Sequence, residues 1–371
     1  MSNTDTDGVS RRSILASFGA GAGLVGLAGV GAAQAAALPE PETSETYDVV
    51  VIGSGMAGCA AALEASLAGK RVVVLEKAAE NRMGGNSLLA GGSFAIPIED
   101  TEEARQHYVE DYERYCQGRG NSEIFGLMAE HAHTNLAWLR ENGVEILQPQ
   151  QTPTNRVSTA TVAPGSFAGM PRLFRALRER ITGLGAVFVF NTKAKELILD
   201  ARGVVVGVRA LGRDGLIDYR GTSVVIAAGG YAGNTAMLEA YSDPNAGAMM
   251  VRGITWATGD GHAMAQAAGA GLKGLGGVAA LHIAAVDRVE TAAGQPALGV
   301  PYAISINREG RRFVDESRGY VSHGQAVLSQ PQQTTALVFD GELKETPVFA
   351  GIVGTFQRLG IEILEAPTLE D

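Results

Sequence analysis

The sequence predicts an α/β fold, and three observations support this expectation. Apolar runs typical of strands alternate with helical patterns along the chain. The 371 residues are 46% apolar, which is enough to bury a large core in two domains. Several of the 49 glycines stand in loops that join a strand to a helix. The 30 basic and 40 acidic residues form no basic stripe, which argues against nucleic acid as a partner.

Residues 1–38 are expected to lie outside the fold as a signal peptide. Arg11 and Arg12 stand in a context typical of a twin-arginine signal, an Ala/Gly-rich apolar stretch follows, and 33–35 fits a small-residue cleavage site. A membrane anchor is the alternative, but Gly and Ala gain little from hydrocarbon. We therefore expect no stable membrane span, and export by the twin-arginine route to the periplasm, cell envelope or medium.

The first element is a strand–turn–helix–strand unit between Tyr47 and Lys77. An apolar strand enters a glycine-rich turn, a helix follows at once, and a second strand ends on Glu76. The glycines of the turn are Gly53, Gly55 and Gly58. Missing side chains let a pyrophosphate approach the helix N-terminus, and a carboxylate after the second strand can accept ribose hydroxyls. A glycine-rich turn without a ligand is the alternative, but the complete unit favours a dinucleotide site.

A second glycine-dense loop, 84–92, follows and is too apolar for a flexible linker. Two amphipathic helices come next. In the second, Ser122 is the expected cap and an apolar stripe is expected to face the core. The stripe consists of Ile124, Met128, Ala132 and Leu136.

The later elements are a helix, four strands and a further helix. The helix at 171–184 is expected to bury Leu173, Phe174, Leu177 and Ile181, with its arginines Arg172, Arg175 and Arg178 in solvent. Strands are predicted at 187–190, 197–199, 204–208 and 224–228. The last strand runs into Gly229-Gly230-Tyr231, and 258–261 precedes another Ala-rich helix.

These motifs in this order resemble the flavoprotein family of fumarate reductases, succinate dehydrogenases and ketosteroid dehydrogenases. The resemblance runs from Tyr47 to the C-terminus, and its carriers are GSGMAG with Glu76, GGNSLLAGG, VVIAAGGY, ATGDGHAMA and NREGRRFVDES. It implies a Rossmann-like FAD-binding domain, made of a parallel sheet plus a β meander, with an inserted α+β substrate-capping domain. The implied bounds are 46–278 for the FAD-binding domain and 279–371 for the capping domain.

The resemblance also implies FAD as the cofactor and a set of residues that hold it. The ADP half is assigned to the first turn and to Glu76, and the flavin to the second glycine loop. The complete implied set is Gly53, Gly55, Met56, Ala57, Gly58, Glu76, Lys77, Gly85, Asn86, Ser87, Gly91, Gly92, Ala194, Gly229, Gly230 and Asp260. Succinate dehydrogenases carry a flavin-linking histidine in the loop after the acidic residue, and this loop has none, so FAD is expected to be non-covalent. No metal is expected.

The chemistry implied by the family is transfer of two hydrogens across a carbon–carbon bond beside a carbonyl or carboxylate. Flavin handles the hydride, and a protein group handles the proton at the α carbon. The substrate would be a small carboxylate or cyclic ketone. With only two cysteines, the chain has no haem c or iron–sulfur motif, so a separate electron carrier is expected.

Three residues are candidates for the proton and for the substrate oxygen. His282 stands near the position of a substrate-binding histidine of fumarate reductases, but Ile283 and Ala284 replace the family's Pro and Thr. Tyr320 stands where fumarate reductases have a proton-delivering arginine, and the spacing resembles that of a catalytic tyrosine in ketosteroid dehydrogenases. Arg318 could instead pair with a substrate carboxylate. A structural histidine, a packing aromatic and a solvated arginine are the respective alternatives.

Family members close the FAD-binding domain with a C-terminal glycine-rich segment, whereas this sequence ends at 367–371, which resembles the start of a helix. We therefore expect the C-terminal part of the FAD-binding domain to be missing. A truncated, non-catalytic flavin-binding remnant is the alternative to an enzyme. Turnover of an unsaturated carboxylate or ketone would distinguish the two.

Overall fold

The computed structural model describes residues 38–116, 118, 120–151, 157–276, 283–285 and 291–368. Residues 41–371 form one compact unit, to which the following description applies. The expected signal segment lies outside the described residues except for its last residue, and so do 369–371. The expected domain boundary at 278/279 also falls outside them, and both assignments stay predictions.

The strands form three sheets. Their bounds are β1 Thr43–Ile52, β2 Val72–Leu75, β3 Ser93–Pro97, β4 Gln150–Gln151, β5 Val157–Thr161, β6 Val187–Val189, β7 Lys193–Leu199, β8 Val205–Leu211, β9 Leu216–Ile226, β10 Ile304–Ile306 and β11 Ala336–Val338. The main sheet has six strands in the order β6-β2-β1-β9-β8-β7. β3, β5 and β4 form a three-stranded sheet, and β10 pairs with β11.

The helices lie between these strands. The α-helices are α1 Met56–Leu67, α2 Glu102–Tyr115, α3 Ser122–Glu141, α4 Ser166–Gly183, α5 Thr235–Tyr241, α6 Asp260–Ala267, α7 Tyr320–Val327, α8 Gly341–Lys344 and α9 Pro347–Arg358. Short 3-10 segments are Glu80–Arg82, Gly85–Leu89, Ala246–Ala248, Thr291–Tyr302, Glu316–Arg318 and Pro331–Gln333. In the described part of the chain, no helix combines the length and the apolar character that crossing a membrane requires.

The main sheet joins a parallel half to an antiparallel half. β6, β2, β1 and β9 run parallel, whereas β9, β8 and β7 form an antiparallel meander. β9 belongs to both halves, because its first part pairs with β1 and β8 and its last part, from Gly221 to Ile226, pairs with β1. The predicted parallel sheet plus β meander is therefore confirmed.

Strand β2 and the end of β1 are apolar because both faces of the sheet are covered there. All four residues of β2 are buried. On one face, Val51 packs with residues of α1 and α4, whereas on the other Val50 and Ile52 pack with Tyr219 of β9. Successive side chains of β1 therefore pack into two different cores, because neighbouring residues of a strand point to opposite faces of the sheet.

Helix α4 confirms the predicted buried residues Leu173, Phe174, Leu177 and Ile181, although it begins at Ser166 rather than Pro171. The stripe predicted for α3 is partly wrong. Ala132 and Leu136 are buried, but Ile124 is 51% exposed and Met128 is 41% exposed, because only the later turns of α3 reach the main core. Asn121, not Ser122, caps this helix by accepting a hydrogen bond from the backbone of Glu123.

The C-terminal third has its own small core. Phe349 and Ile352 of α9 pack with Ala303, which precedes β10. β10 and β11 are antiparallel, and helices α7 to α9 accompany them. This mixture agrees with the α+β character expected for the region after 279.

Candidate functional site

The turn after β1 requires glycine at two positions, because a side chain at either position would collide with the backbone. Gly53 has φ +102°, and a Cβ there would lie 2.4 Å from the carbonyl oxygen of Ala227. A Cβ on Gly58 would lie 2.0 Å from the carbonyl oxygen of Gly53. At Gly55 a Cβ would lie 3.5 Å from the carbonyl oxygen of Gly84, which is ordinary van der Waals contact. The protein's own packing therefore requires glycine at positions 53 and 58, whereas a small side chain would fit at position 55.

Glu76 lies at the end of β2, beside this turn, and is only 6% exposed. Its Oε2 accepts hydrogen bonds from the backbone N of Ser54 at 3.0 Å and from the Ser54 hydroxyl at 2.6 Å. Its Oε1 accepts one from the backbone N of Ala78 at 2.7 Å. The carboxylate is therefore fixed, with remaining lone pairs that ribose hydroxyls could use. Sequence reasoning missed Ser54, although a small hydroxyl residue between Gly53 and Gly55 was a usable signal.

The second glycine loop is tied to the first. Gly84, Gly85, Gly91 and Gly92 all have positive φ, from 55° to 112°. The Ser87 hydroxyl accepts a hydrogen bond from the backbone N of Met56 at 3.3 Å, at the start of α1. Asn86 Oδ1 accepts one from the backbone N of Ile254 at 2.9 Å. The loop 84–92 is thus held against both the dinucleotide turn and the segment that leads to α6.

Asp260, at the first residue of α6, forms an ion cluster with two lysines. Lys77 Nζ lies 2.5 Å from Asp260 Oδ2, and Lys193 Nζ lies 2.9 Å from Oδ1. The Thr258 hydroxyl is 3.1 Å from Oδ1 and also accepts a bond from Lys77 at 3.1 Å. Burial raises the pKa of Asp260, but the hydrogen bonds from Lys77 and Lys193 outweigh this and lower it. Both predicted residues are brought together, yet the ammonium of Lys77 is committed to protein groups.

The other residues of the implied set surround the same end of the sheet. Met56 and Ala57 are the first two residues of α1, and Ala194 is a buried residue of β7. Gly229 and Gly230 follow β9, and a Cβ on either would meet nothing within 4 Å. Open glycines at 229 and 230, the N-terminus of α1 and a fixed carboxylate fit the shape and charges of FAD.

The candidate proton carriers differ in their surroundings. Tyr320 is half-buried at the first residue of α7, directly after Gly319 with φ +85°. The Arg318 side chain is 69% exposed, and its Nε lies 3.7 Å from Asp315. Arg318 lines a cavity of about 430 Å³ that also contains Ser242, Phe313 and Asp315. His282 lies outside the described residues.

The cavity is connected to the glycine end of β9 by one tyrosine. The Tyr231 hydroxyl lies 3.0 Å from the Ser242 hydroxyl and also donates to the carbonyl of Leu275. Because Tyr231 follows Gly229 and Gly230 directly, its side chain joins the glycine end of β9 to the cavity wall at Ser242.

Part of the motif NREGRRFVDES builds a buried polar network. Glu316 Oε2 accepts from Arg312 Nη2 at 2.6 Å, and Oε1 accepts from the backbone N of Ser305 at 2.7 Å. Burial raises the pKa of Glu316, but Arg312 and Ser305 together lower it to about 2. The Ser305 hydroxyl in turn lies 2.8 Å from Nε2 of His323, which is fully buried. Sequence reasoning identified no partner for His323, because Ser305 is 18 residues away.

Burial lowers the pKa of His323.

In the part of the chain that the structure describes, no group of three or more His, Cys, Asp or Glu side chains could hold a metal ion.

Comparison with known proteins gives one family match and several relatives. Residues 48–354 match the model of the FAD binding domain family. A urocanate reductase from Eggerthella lenta is 32% identical over 321 residues, which cover 81% of this chain and 51% of that protein. The chain therefore spans about half the length of this curated relative.

Solved structures show the same fold. The open conformation of a flavocytochrome c3 fumarate reductase matches with a TM-score of 0.67 and 25% identity, over 86% of this chain and 59% of that one. A 3-ketosteroid-Δ4-(5α)-dehydrogenase from Rhodococcus jostii matches with a TM-score of 0.63 and 24% identity, over 82% of this chain and 68% of that one.

Proposed function

The chain belongs to the FAD binding domain family of flavoproteins, and from this premise we propose that it is an FAD-dependent oxidoreductase acting on a CH–CH bond beside a carbonyl or carboxylate. The observation that carries the proposal is the convergence of the two glycine loops, Glu76 and Gly229-Gly230 at one end of the main sheet. The similar urocanate and fumarate reductases are named for unsaturated carboxylates. The substrate we propose is accordingly a small unsaturated or saturated carboxylate or a cyclic ketone.

FAD, when bound, supplies a hydride acceptor or donor at N5. The chain's own residues then have three tasks: to hold the cofactor, to stabilise the enolate oxygen of the substrate, and to move one proton at the α carbon. Glu76 would hold the ribose, and the amides at the start of α1 would hold the pyrophosphate. The loop after Glu76 contains no histidine, so the cofactor would be held non-covalently.

Tyr320 is our proposed proton carrier, acting as an acid in reduction and as a base in oxidation. Its half-buried position supports this role, because a proton donor works best where water does not compete. Arg318 is the weaker choice, since its guanidinium is mostly in solvent and beside Asp315. His282 remains a candidate for the enolate oxygen on the resemblance alone.

The test replaces one hydroxyl. Tyr320→Phe keeps the ring, so it should leave FAD binding unchanged and slow substrate reduction by about 100-fold or more. Turnover is measured as reoxidation of dithionite-reduced holoprotein by urocanate, fumarate and a 3-ketosteroid. Arg318→Ala is the control. Near-full activity of Tyr320→Phe with loss of activity in Arg318→Ala would move the proton role to the arginine, and no reoxidation by any substrate would leave a non-catalytic flavin-binding protein.

Two further parts of the proposal concern the electron carrier of the enzyme and its export. A separate electron carrier is proposed because this sequence, with only the cysteines Cys59 and Cys116, carries no haem c or iron–sulfur motif. Export by the twin-arginine route is proposed from Arg11 and Arg12. Replacing both arginines by lysine should retain the precursor in the cytoplasm, and mature protein still found outside would refute this part.

A further inference from the structure

A groove of about 920 Å³ lies beside the second glycine loop, whose residue Leu88 lines it. Helix α4 forms one wall and residues 79–88 form another. Its floor is apolar and consists of Met83, Leu88, Phe174 and Phe190. The Phe174 ring reaches to 2.8 Å from where a Cβ of Gly84 would lie, so the floor is in direct contact with the loop 84–92.

The rim of this groove carries three guanidinium groups. Arg178 forms an ion pair with Glu80 at 2.6 Å and lies over the Phe190 ring. Arg175 and Arg213 come from α4 and from the turn between β8 and β9, and within the described ranges neither makes a hydrogen bond or ion pair. Glu179 is the second carboxylate of the rim. On a chain with a net charge of −10, this arginine-rimmed groove is a local excess of positive charge.

We propose that the arginine-rimmed groove is the docking surface for an acidic electron-transfer protein. This inference rests on the proposed function, because it takes the loop 84–92 as the flavin loop. A carrier seated here would lie against that loop at Leu88 and at Phe174, whose ring adjoins Gly84. Two single-electron deliveries, together with two protons from solvent, would convert one FAD to its two-electron reduced form, which the proposed reduction of a C=C bond consumes.

The chemistry of the groove fits such a partner. Transient redox complexes use small contacts with an apolar centre and a charged rim. Unpaired rim cations raise the rate of encounter with an acidic protein and have a smaller effect on the lifetime of the complex. Because both proteins would carry net negative charge, attraction must come from the rim. Added salt should therefore slow association, whereas repulsion between the net charges alone would make salt accelerate it.

The experiment uses flavodoxin, a strongly acidic one-electron carrier, as the probe. The rate at which reduced flavodoxin reduces the FAD of the holoprotein is followed by stopped flow at rising ionic strength. Binding of oxidised flavodoxin to oxidised holoprotein is measured by calorimetry, which requires no turnover. The test variant is Arg175→Glu/Arg213→Glu. Its matched control is Arg140→Glu/Arg172→Glu, which changes net charge equally at exposed arginines that do not line the groove.

We expect the groove variant to lower the flavodoxin-dependent rate roughly tenfold or more at low salt, and the control to change it by about twofold at most. Equal effects of the two variants, or a wild-type rate that increases with salt, would overturn the inference. Groove-dependent binding of anthraquinone-2,6-disulfonate without any effect on flavodoxin would assign the groove to a small organic anion instead. Substrate reduction driven by dithionite tests the proposed function separately, since it bypasses the carrier and should be unchanged in both variants.

Discussion

Glu76 accepts three hydrogen bonds from the protein, and these bonds fix the position of its carboxylate before a ligand binds. A glutamine in its place must turn its NH₂ group toward either the Ser54 donors or the Ala78 amide, which also donates. Glu76→Gln should therefore weaken FAD binding by about 1.5 to 3 kcal/mol, the usual worth of hydrogen bonds to a charged group. FAD titration of the apoprotein measures this. Glu99→Gln, at an exposed loop position, is the control, and equal affinity of the two variants would show that Glu76 is not a ligand.

Glu316 makes stability depend on pH. Its pKa in the fold is about 2, below the ordinary value of 4.5, so the ionised carboxylate stabilises the protein at neutral pH. This contribution, roughly 3 kcal/mol, is lost as the pH falls from about 4.5 to about 2. Glu316→Gln should lower the unfolding free energy at pH 7 and flatten its decline in that window. The exposed Glu309 provides the control Glu309→Gln, and identical pH slopes would refute the prediction.

At the scale of elements, Gly58 fixes how closely α1 approaches the turn after β1. Gly58→Ala would place a methyl group 2.0 Å from a backbone oxygen, so the helix must move. We expect a loss of more than about 2 kcal/mol of stability and of tight FAD binding. Gly126→Ala, inside α3 where a Cβ meets nothing within 4 Å, should instead stabilise by up to about 1 kcal/mol. Denaturant unfolding measures the change in unfolding free energy of each variant. A change in the same direction for both variants would contradict the prediction.

The sequence predicted the elements whose signals are local and failed where structure depends on distant pairs. The unit from β1 to β2 is contiguous, so its strands, turn and helix were all identifiable. The first half of β9 was missed because charged residues such as Asp218 and Arg220 are typical of loops. In the structure Asp218 is buried, and its carboxylate forms an ion pair of 2.7 Å with Arg209. The pairing of β3 with β5 joins residues as far apart as Ser93 and Thr161, which no local pattern reveals.

The same limit applies to the site. Glu76 and the glycines followed from a motif, but the partners of Asp260 did not, because Lys193 carries no motif of its own. The ion cluster exists only because α6 lies beside the start of β7. The roles of Tyr320 and Arg318 stay predictions for the experiments above.

At the scale of the whole molecule, the main sheet has an open edge. Among the described residues, no strand pairs with the side of β9 opposite β1 between Gly221 and Ile226, and Ile226 is 39% exposed. An open apolar edge promotes association between molecules, and an added lysine blocks it. Ser223→Lys should therefore reduce concentration-dependent light scattering, whereas Thr134→Lys on the exposed side of α3 should not. Similar scattering by both variants would mean that association proceeds elsewhere.

The long strand β9 also sets the order in which the protein can fold. Its partner β1 lies about 170 residues earlier in the chain, so the centre of the sheet closes through contacts of very high sequence separation. During synthesis β1 and β2 emerge first and must wait for residue 227 before the carbonyl of Ala227 can pack behind Gly53. We therefore expect the cofactor cradle to be completed late in folding, with FAD binding to a nearly complete sheet.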